Sequence, residues 1–438
     1  MASGQGSRLR FVGSVVVLAC LAGIVFASAA NKPLIADDYF YLTEVQKAGW
    51  WHSNPTWEIG GVLFRPVLFL WFGATNWVFG LDATGFHVTT VLIVVAAGVM
   101  TGLVAHRIGL RAGAYAAATI VALHGSMATP VAWASAANSP LAVALALGAL
   151  YLLLRPRVRL VEIAGASILF LVALMTREVV AVAPAILLMT RFLVEKDGSR
   201  KTRCKRAALV SVPLWVVVLA YVGIRRSAGF EGGSGGYAQE IGGHGLDNLV
   251  DLMKFATNVA PFGDESTYNF FVAVFWIVFI GLCVFLAIRF RRFGGVVGLA
   301  WAVLAVLPVI FLSVHRMENY YVDFALPGLA IAIAVIFEWI YYAIGSRDRW
   351  MFAAPCLVVF VALSASTARD YVDNYVGPWG PRTEQIIEQV TTDFPDPAPG
   401  STVSVRGATP NEHFLTHNGD LFRVIYHDPT LQVTFVPE

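Results

Sequence analysis

Long apolar stretches follow one another along most of the chain, separated by short polar connections. A helix needs about 20 mostly apolar residues to cross the hydrocarbon core of a bilayer. Within lipid the backbone must satisfy its own hydrogen bonds, which favours helices. The pattern predicts about eleven membrane spans, at 11–29, 88–106, 112–128, 139–154, 160–176, 179–194, 207–224, 269–288, 294–313, 321–343 and 350–366. The sequence therefore indicates an all-α polytopic membrane protein.

Composition supports a membrane class. Apolar residues make up 57% of the 438-residue chain, charged residues make up 14%, and the mean hydropathy is +0.66. Soluble domains carry about 25% charged residues, so a soluble chain of this composition could not cover its surface. The formal net charge of +2 gives no sign of a nucleic-acid partner. The four cysteines form no C-x-x-C pair, and we expect free thiols.

The first apolar stretch has two interpretations. Arg8 and Arg10 precede it, and the small residues Ser28, Ala29 and Ala30 follow it, as in a cleaved signal peptide. The stretch is nevertheless long for a signal core and long enough to span. We therefore favour an uncleaved first helix, with cleavage as the alternative.

The positions of Lys and Arg predict the orientation. Nineteen of the 31 basic residues lie in six short segments that alternate with the spans. This predicts a cytoplasmic N-terminus and a C-terminus on the outer face. A span at 62–80 would invert the alternation after it. We therefore interpret 62–80 as an interfacial or re-entrant helix on the outer face.

Three long segments are predicted on the outer face, at 30–87, 225–268 and 367–438. Segment 367–438 has the composition most like that of a soluble domain. We therefore predict two domains, 1–366 in the membrane and 367–438 outside it. The tail is expected to form a small α+β unit. Its predicted elements are a polar helix at 381–393 and strands at 401–406, 421–427 and 431–436.

Two polar clusters in the first outer segment are candidates for chemistry. Asp37 and Asp38 are adjacent carboxylates just beyond the first span. One could act as a general base and the other could orient it or bind a cation; alternatively, both only cap a helix. Arg65 lies in an apolar run, where its fork could bind a phosphate or reach lipid headgroups.

Two further clusters lie in later outer turns. Arg177 and Glu178 share a short turn, which is either functional or a self-neutralising pair. His315 and Arg316 precede Tyr320 and Tyr321 in a segment that is otherwise an ordinary polar loop. All four clusters fall on the predicted outer face. A transporter would concentrate ionisable residues near the middle of the membrane, where Glu338 is the clearest example.

These clusters, in order, resemble the GT-C membrane glycosyltransferases. The likeness is to the protein O-mannosyltransferase-like branch that often carries TPR repeats, although no such repeats follow here. It covers roughly residues 10–345. The matching segments are the acidic pair, Phe64-Arg65-Pro66-Val67 through Gly85-Phe86-His87, the turn from Trp133 to Asn138, Leu174 to Pro184, and His315 to Pro327.

The resemblance implies transfer of a sugar from a polyprenyl-phosphate donor to an acceptor on the outer face, with inversion. It implies Asp37 as the base with Asp38 as its partner. Arg65 and Arg316 are expected to bind the donor phosphate, with Arg177 and His315 as weaker candidates. Glu178, His87, Tyr320 and Tyr321 are expected to support them.

Several points stay open at the level of sequence. The acceptor could be a lipid, a glycan or a protein, and a divalent cation could take part. Residue usage favours the inner membrane of a bacterium. A transporter or flippase for a lipid-linked sugar, which would depend on Glu338, and a non-catalytic membrane scaffold are the alternative functions.

Overall fold

A computed structural model describes residues 2–48, 58–59, 63–195, 197–227, 238–313 and 317–437. Its α-helices are α1 (Ala2–Val25), α2 (Asp37–Ala48), α3 (Pro66–Phe79), α4 (Ala83–Arg107), α5 (Ala112–Leu123), α6 (Ala128–Ala132), α7 (Asn138–Leu153), α8 (Leu160–Thr176), α9 (Ala183–Val194), α10 (Arg200–Ser227), α11 (His244–Ala256), α12 (Glu265–Phe290), α13 (Gly294–Ile310), α14 (Leu326–Ala343), α15 (Arg349–Tyr371), α16 (Gly380–Asp393), α17 (Pro410–Leu415) and α18 (Asp420–Ile425). The strands are β1 (Glu58–Ile59), β2 (Leu63–Phe64), β3 (Thr402–Arg406) and β4 (Gln432–Val436).

A helix lies at each of the eleven predicted spans. Within the described ranges, six helices are long and apolar enough to cross a membrane, and four shorter helices are also apolar. The predicted all-α polytopic class is confirmed. Helix α5 stops at Leu123, short of the predicted end, because His124 turns to an extended conformation with ψ 132°.

Helix α3 occupies the segment that we interpreted as interfacial. Its 14 residues extend about 21 Å at 1.5 Å per residue, which is less than the roughly 30 Å of hydrocarbon in a bilayer. One face, with Leu68, Phe69 and Phe72, is buried, while Trp77 is 79% exposed. A short helix with one apolar face left open fits the interfacial interpretation, and its side of the membrane stays a prediction.

Small residues allow the central helices to pack closely. Helix α4 packs against α5 and α7, and α13 packs against α14. A Cβ added to Gly298 on α13 would lie 2.3 Å from the carbonyl oxygen of Gly328 on α14. Without a hydrophobic effect between helices in lipid, such backbone approach is a main source of packing energy. The α13–α14 contact also fixes the segment between the two helices, which contributes to the site described below.

The C-terminal tail is a small α+β unit. Strands β3 and β4 pair in parallel, and helix α16 and both strands lie where predicted. The predicted strand at 421–427 is wrong, because helix α18 (Asp420–Ile425) occupies it. The chain turns at Gly419 with φ +94°, and Asp420 pairs with Arg423 one turn later at 2.8 Å, which a helix permits and a strand does not.

The tail shares one hydrophobic cluster with the first outer segment. Tyr41 and Phe72 of that segment belong to the same buried cluster as Leu421 and Phe422 of the tail. Helix α15 continues past the predicted domain boundary at 366 to Tyr371. The division into two domains therefore stays a proposal, with the tail packed directly on the segment that carries the acidic pair.

Candidate active site

Residues from each of the four predicted polar clusters line a single pocket, and Tyr320 and Tyr321 represent the last cluster. It lies between the start of α2, the start of α3, the turn before α7, and the two connections before α9 and α14. The lining residues are Asp37, Tyr41, Arg65, Trp133, Ser135, Ala136, Asn138, Arg177, Tyr320 and Tyr321. Segments far apart in the chain thus bring one carboxylate and two guanidinium groups to the same opening.

Asp37 is the first residue of α2. The preceding residue, Ala36, has φ +50°, a conformation that an L-residue adopts only when its surroundings hold it; its N–H donates to the carbonyl of Leu415 at 3.0 Å. The Asp37 side chain is 28% exposed. Burial raises the pKa of Asp37, and the neighbouring His417 and Arg65 partly oppose that rise. A carboxylate with a raised pKa at a pocket is suited to accept a proton.

Asp38 has a different environment although it is the next residue. It is fully buried. One carboxylate oxygen accepts the Ile35 N–H at 3.0 Å, and the other accepts the Ser135 N–H at 2.7 Å and the Ser135 hydroxyl. Burial raises the pKa of Asp38 to about 7, against the effect of these hydrogen bonds. Asp38 therefore connects the segment before α2 to the turn before α7.

Arg65 and Glu178 form an ion pair at the edge of the pocket. Arg65 precedes the first turn of α3, where Pro66 starts the helix, and its Nη2 lies 3.2 Å from Oε1 of Glu178. Burial raises the pKa of Glu178, but the Arg65 charge and hydrogen bond outweigh it and hold that pKa at about 2. Glu178 thus remains ionised and orients the guanidinium of Arg65.

Arg177 is held by aromatic rings. Its guanidinium lies 4.9 Å from the ring centre of Tyr320 and 5.2 Å from that of Tyr321, and its Nη1 donates to Asn138 Oδ1 at 3.4 Å. Cation–π contacts of this kind fix a guanidinium without neutralising its charge. Both tyrosines predicted as supporting residues therefore contact one of the predicted phosphate ligands.

His87 has a role outside the pocket. Its Nδ1 lies 2.6 Å from the Val131 carbonyl oxygen and its Nε2 lies 2.8 Å from that of Lys32. It joins α4 to α6 and to the segment after α1, which supports the site indirectly. His315 and Arg316 lie outside the described residues, and their predicted roles stay predictions.

Sequence reasoning missed several residues at or near the site. Trp133 and Ser135 belong to a turn that matched the family resemblance but was given no role. Asp323 is a buried carboxyl whose two oxygens have no hydrogen-bond partner of good geometry among the described residues. His417, at 4.0 Å from Asp37, lies in the tail near the other end of the chain. The sequence carries no signal that could join it to Asp37.

Two other sequence predictions concern ions and transport. Among the residues that the structure describes, no group of three or more His, Cys, Asp or Glu is placed to hold a metal ion, so a divalent cation stays an untested prediction. Glu338 accepts the backbone N–H groups of Arg111 at 2.6 Å and Gly113 at 2.9 Å. It caps the first turn of α5, which is a structural role.

No protein-family model matches the chain, and no curated protein matches it by sequence. Solved structures match it over nearly its whole length. ArnT from Cupriavidus metallidurans in the apo state matches with a TM-score of 0.55 at 14% identity. The match covers 98% of this chain and 86% of ArnT. The same protein bound to undecaprenyl phosphate has a TM-score of 0.53 at 14% identity, with 96% of this chain and 86% of that one covered.

The archaeal oligosaccharyltransferase AglB from Archaeoglobus fulgidus, in complex with an inhibitory peptide and a dolichol-phosphate, has a TM-score of 0.54 at 12% identity. That match covers 98% of this chain and 65% of AglB; with zinc and sulfate bound, the shares are 97% and 62%. This chain thus spans less than two thirds of the oligosaccharyltransferase. The chain has the GT-C fold of membrane glycosyltransferases.

Proposed function

We propose that the protein is a membrane glycosyltransferase that moves a sugar from a polyprenyl-phosphate-linked donor to an acceptor hydroxyl. The observation that carries the proposal is the pocket in which Asp37 lies with Arg65 and Arg177. Two proteins of the same fold have structures with a polyprenyl-type phosphate bound, undecaprenyl phosphate in ArnT and dolichol-phosphate in AglB. Residue chemistry and fold therefore favour the same class of donor.

In the proposed reaction the acceptor hydroxyl gives its proton to the carboxylate of Asp37. The oxygen of the acceptor hydroxyl attacks the anomeric carbon, and the bond from that carbon to the phosphate oxygen breaks. The polyprenyl phosphate leaves with the electron pair of that bond. A single displacement of this kind inverts the anomeric configuration. Asp37 supplies general-base catalysis, which contributes about 10²–10⁴-fold in rate.

Arg65 and Arg177 are proposed to stabilise the negative charge that develops on the leaving phosphate. Both side chains are largely buried, with 9% and 4% of their residue surface exposed, so water screens their charge little. Their positions are fixed by Glu178 and by two tyrosine rings. Groups held in place before the reaction need no reorganisation when the charge forms. Arg316 is proposed as a further phosphate ligand on the resemblance alone.

The location and partners follow from the same proposal. The donor headgroup and the pocket must share one side of the membrane, and the Lys and Arg positions favour the outer face of a bacterial inner membrane. A lipid, a glycan or a protein could supply the acceptor hydroxyl. The transporter alternative loses support because Glu338, the residue on which it depended, caps a helix through two backbone N–H groups.

The test compares Asp37→Asn, Asp38→Asn and the exposed control Asp247→Asn in the full chain. A panel of short synthetic polyprenyl-phosphate hexoses serves as donor and native membranes serve as acceptor, and release of polyprenyl phosphate is measured. Asp37→Asn keeps the size of the side chain but cannot take the proton, so the rate should fall about 100-fold or more. Asp247→Asn should match the wild type.

Asp38→Asn should lower the rate less than Asp37→Asn, and it should lower the thermal unfolding temperature, since it disturbs the bonds to Ile35 and Ser135. An Asp37→Asn enzyme with the wild-type rate would exclude Asp37 as the base. If both acidic variants were fully active, the scaffold alternative would replace the proposed function.

A further inference from the structure

The tail of the chain brings a histidine to the acidic residue of the pocket. Nε2 of His417 lies 4.0 Å from Oδ1 of Asp37. On its other side, Nδ1 of the same ring lies 2.7 Å from Oδ2 of Asp420. The ring also packs on Phe40, with the ring centres 5.0 Å apart. His417 is therefore sandwiched between two carboxylates and fixed in orientation.

The backbone that carries His417 is held in an unusual conformation. His417, Asn418 and Gly419 follow one another with φ of +46°, +55° and +94°. Left-handed conformations at two non-glycine residues in a row are costly and persist only where the surroundings enforce them. The hydroxyl of Thr43 on α2 donates to the carbonyl of Asp420 at 3.3 Å. Together with the hydrogen bond from Ala36 to Leu415, this contact holds the turn against α2 and against the residue that precedes Asp37.

The partners of the imidazole determine which of its nitrogens carries a proton. Asp420 also accepts a hydrogen bond from Nη1 of Arg423 at 2.8 Å. Because a carboxylate oxygen accepts, Nδ1–H of His417 is the donor in the bond between His417 and Asp420. Nε2 is then the nitrogen that faces Asp37. A positive charge on this ring lies between two carboxyl groups and lowers the pKa of Asp37.

Other charged groups also act on Asp37. Arg65 and Arg177 lie in the same pocket, and Arg65 is already paired with Glu178. Asp38 is the neighbouring carboxyl, and the charge of Asp37 contributes to the raised pKa of Asp38. Arg423 pairs with Asp420. Among the described residues, His417 is therefore the basic side chain of the tail that lies closest to the carboxylate of Asp37.

We propose that His417 is a positioning residue for the proposed base, a cation carried by the tail that keeps Asp37 ionised and oriented toward the pocket. Asp420 holds the His417 ring, so the tail completes the active site from outside the membrane helices. This inference rests on the proposed function, because it assigns His417 a role through Asp37. In this proposal the tail positions Asp37 in addition to packing against α2.

The experiment measures the protonation of Asp37 directly and needs neither the sugar donor nor the acceptor substrate. A water-soluble carbodiimide modifies protonated carboxyl groups, and mass spectrometry of the full chain in detergent measures its reaction at Asp37 as a function of pH. Asp37→Asn identifies the modified peptide. His417→Asn is the test variant, because asparagine also tolerates the left-handed backbone. His427→Asn is the matched control, since His427 has φ +52° and faces Gln46 instead.

Without the His417 cation, Asp37 should stay protonated to higher pH. The midpoint of modification should therefore rise in His417→Asn by about one pH unit, and the pH–rate profile of sugar transfer should move in the same direction. His427→Asn should leave both unchanged. Asp420→Asn, which frees the ring, should give a smaller rise in the same direction. His417→Gln is also neutral but has a longer side chain, so it should give the same rise as His417→Asn; a midpoint that stays at the wild-type value in His417→Gln would contradict the role of the charge.

An unchanged midpoint in folded His417→Asn would overturn the inference while leaving the proposed function intact. Equal shifts in His417→Asn and His427→Asn would also overturn it, because they would indicate a general loosening of the tail. Failure of the proposed function is a separate result, namely wild-type sugar transfer by Asp37→Asn.

Discussion

At the scale of single residues, two adjacent carboxyls have different environments because of helix geometry. Successive residues on a helix point about 100° apart, so Asp37 lines the pocket while Asp38 points into the protein and binds Ser135. Physical reasoning on the sequence could state that the pair is coupled but could not order its members. The choice of Asp37 over Asp38 as the proposed base is therefore supported by the structure as well as by the family resemblance.

The two arginines of the pocket are held differently, which leads to a prediction on sugar transfer. Arg65→Ala and Arg177→Ala should each lower the rate on the order of 100-fold, because each removes a charge that is proposed to stabilise the leaving phosphate. Arg65→Lys should retain part of the rate, since charge remains but the fork is lost. The measurement is release of polyprenyl phosphate, with the amount of folded protein confirmed by gel filtration.

Arg107→Ala is the control for these variants. Arg107 also lies over a tyrosine ring, 4.5 Å from the ring centre of Tyr151. It is the last residue of α4, at the opposite end of that helix from His87. It should change the rate by no more than a few fold. An Arg177→Ala enzyme as active as Arg107→Ala would exclude Arg177 as a phosphate ligand.

At the scale of elements, the contact between α13 and α14 controls the segment that carries Tyr320 and Tyr321. The indole N–H of Trp301 on α13 donates to the carbonyl of Phe324 at 3.0 Å, which fixes the chain just before α14. The two glycines that face each other allow the helices to come this close. Backbone packing in the bundle therefore decides where the rings over Arg177 lie.

A methyl group at this contact should be harmful. Gly298→Ala would place its Cβ 2.3 Å from the Gly328 carbonyl oxygen and 2.8 Å from the Ala332 nitrogen, so the helices must move apart. Overpacking of this kind typically costs about 1–3 kcal/mol. We expect a lower thermal unfolding temperature in detergent, followed by weaker sugar transfer.

Gly281→Ala on α12 is the matched control, because an added Cβ there meets nothing within 4 Å. It should be neutral or slightly stabilising, since alanine favours helix more than glycine does. Equal unfolding temperatures for the Gly298 and Gly281 variants would contradict the close contact between α13 and α14.

At the scale of the whole molecule, the tail and the first outer segment form one packed unit. Phe422 and Leu421 of the tail are fully buried against the segment that begins with Asp37. This arrangement requires the described residues of the first outer segment that pack on the tail to be on the same side of the membrane as the tail. The requirement agrees with the orientation predicted from Lys and Arg, in which both are outside.

The orientation is therefore a prediction about the whole chain. A reporter that functions only outside the cytoplasm should be active when fused after Glu438 and inactive when fused at the N-terminus. The physical reason is the retention of Lys- and Arg-rich connections on the cytoplasmic side. A phosphatase that is active only in the periplasm and a fluorescent protein that is active only in the cytoplasm, used in parallel, report on which side each fusion point lies.

A fusion at the connection between α7 and α8, near Arg157, provides an internal control and should report the cytoplasm. If the two ends of the chain report the same side, the count of eleven spans is wrong. The predicted location of all the polar clusters on the outer face would then also be wrong.

The sequence by itself determined the class of the protein and the positions of its helices. Span length and apolar content are local properties, and lipid imposes helix on any such stretch, so every predicted span coincides with a helix. Asp37, Arg65, Arg177 and the tyrosines were also recognisable, because charge and aromatic rings beside apolar runs are unusual in any one segment. The strand predicted at 421–427 was wrong, because its β-branched and aromatic residues match a strand while the preceding turn starts a helix.

Only the tertiary structure decided how these residues meet. The pocket brings together segments from five parts of the chain, and the burial of Asp38 depends on Ser135, which is distant in sequence. His417 reaches Asp37 because the tail folds back onto α2 through an apolar cluster shared by both. No local pattern encodes such a contact, since its energy comes from surfaces that become neighbours only after folding.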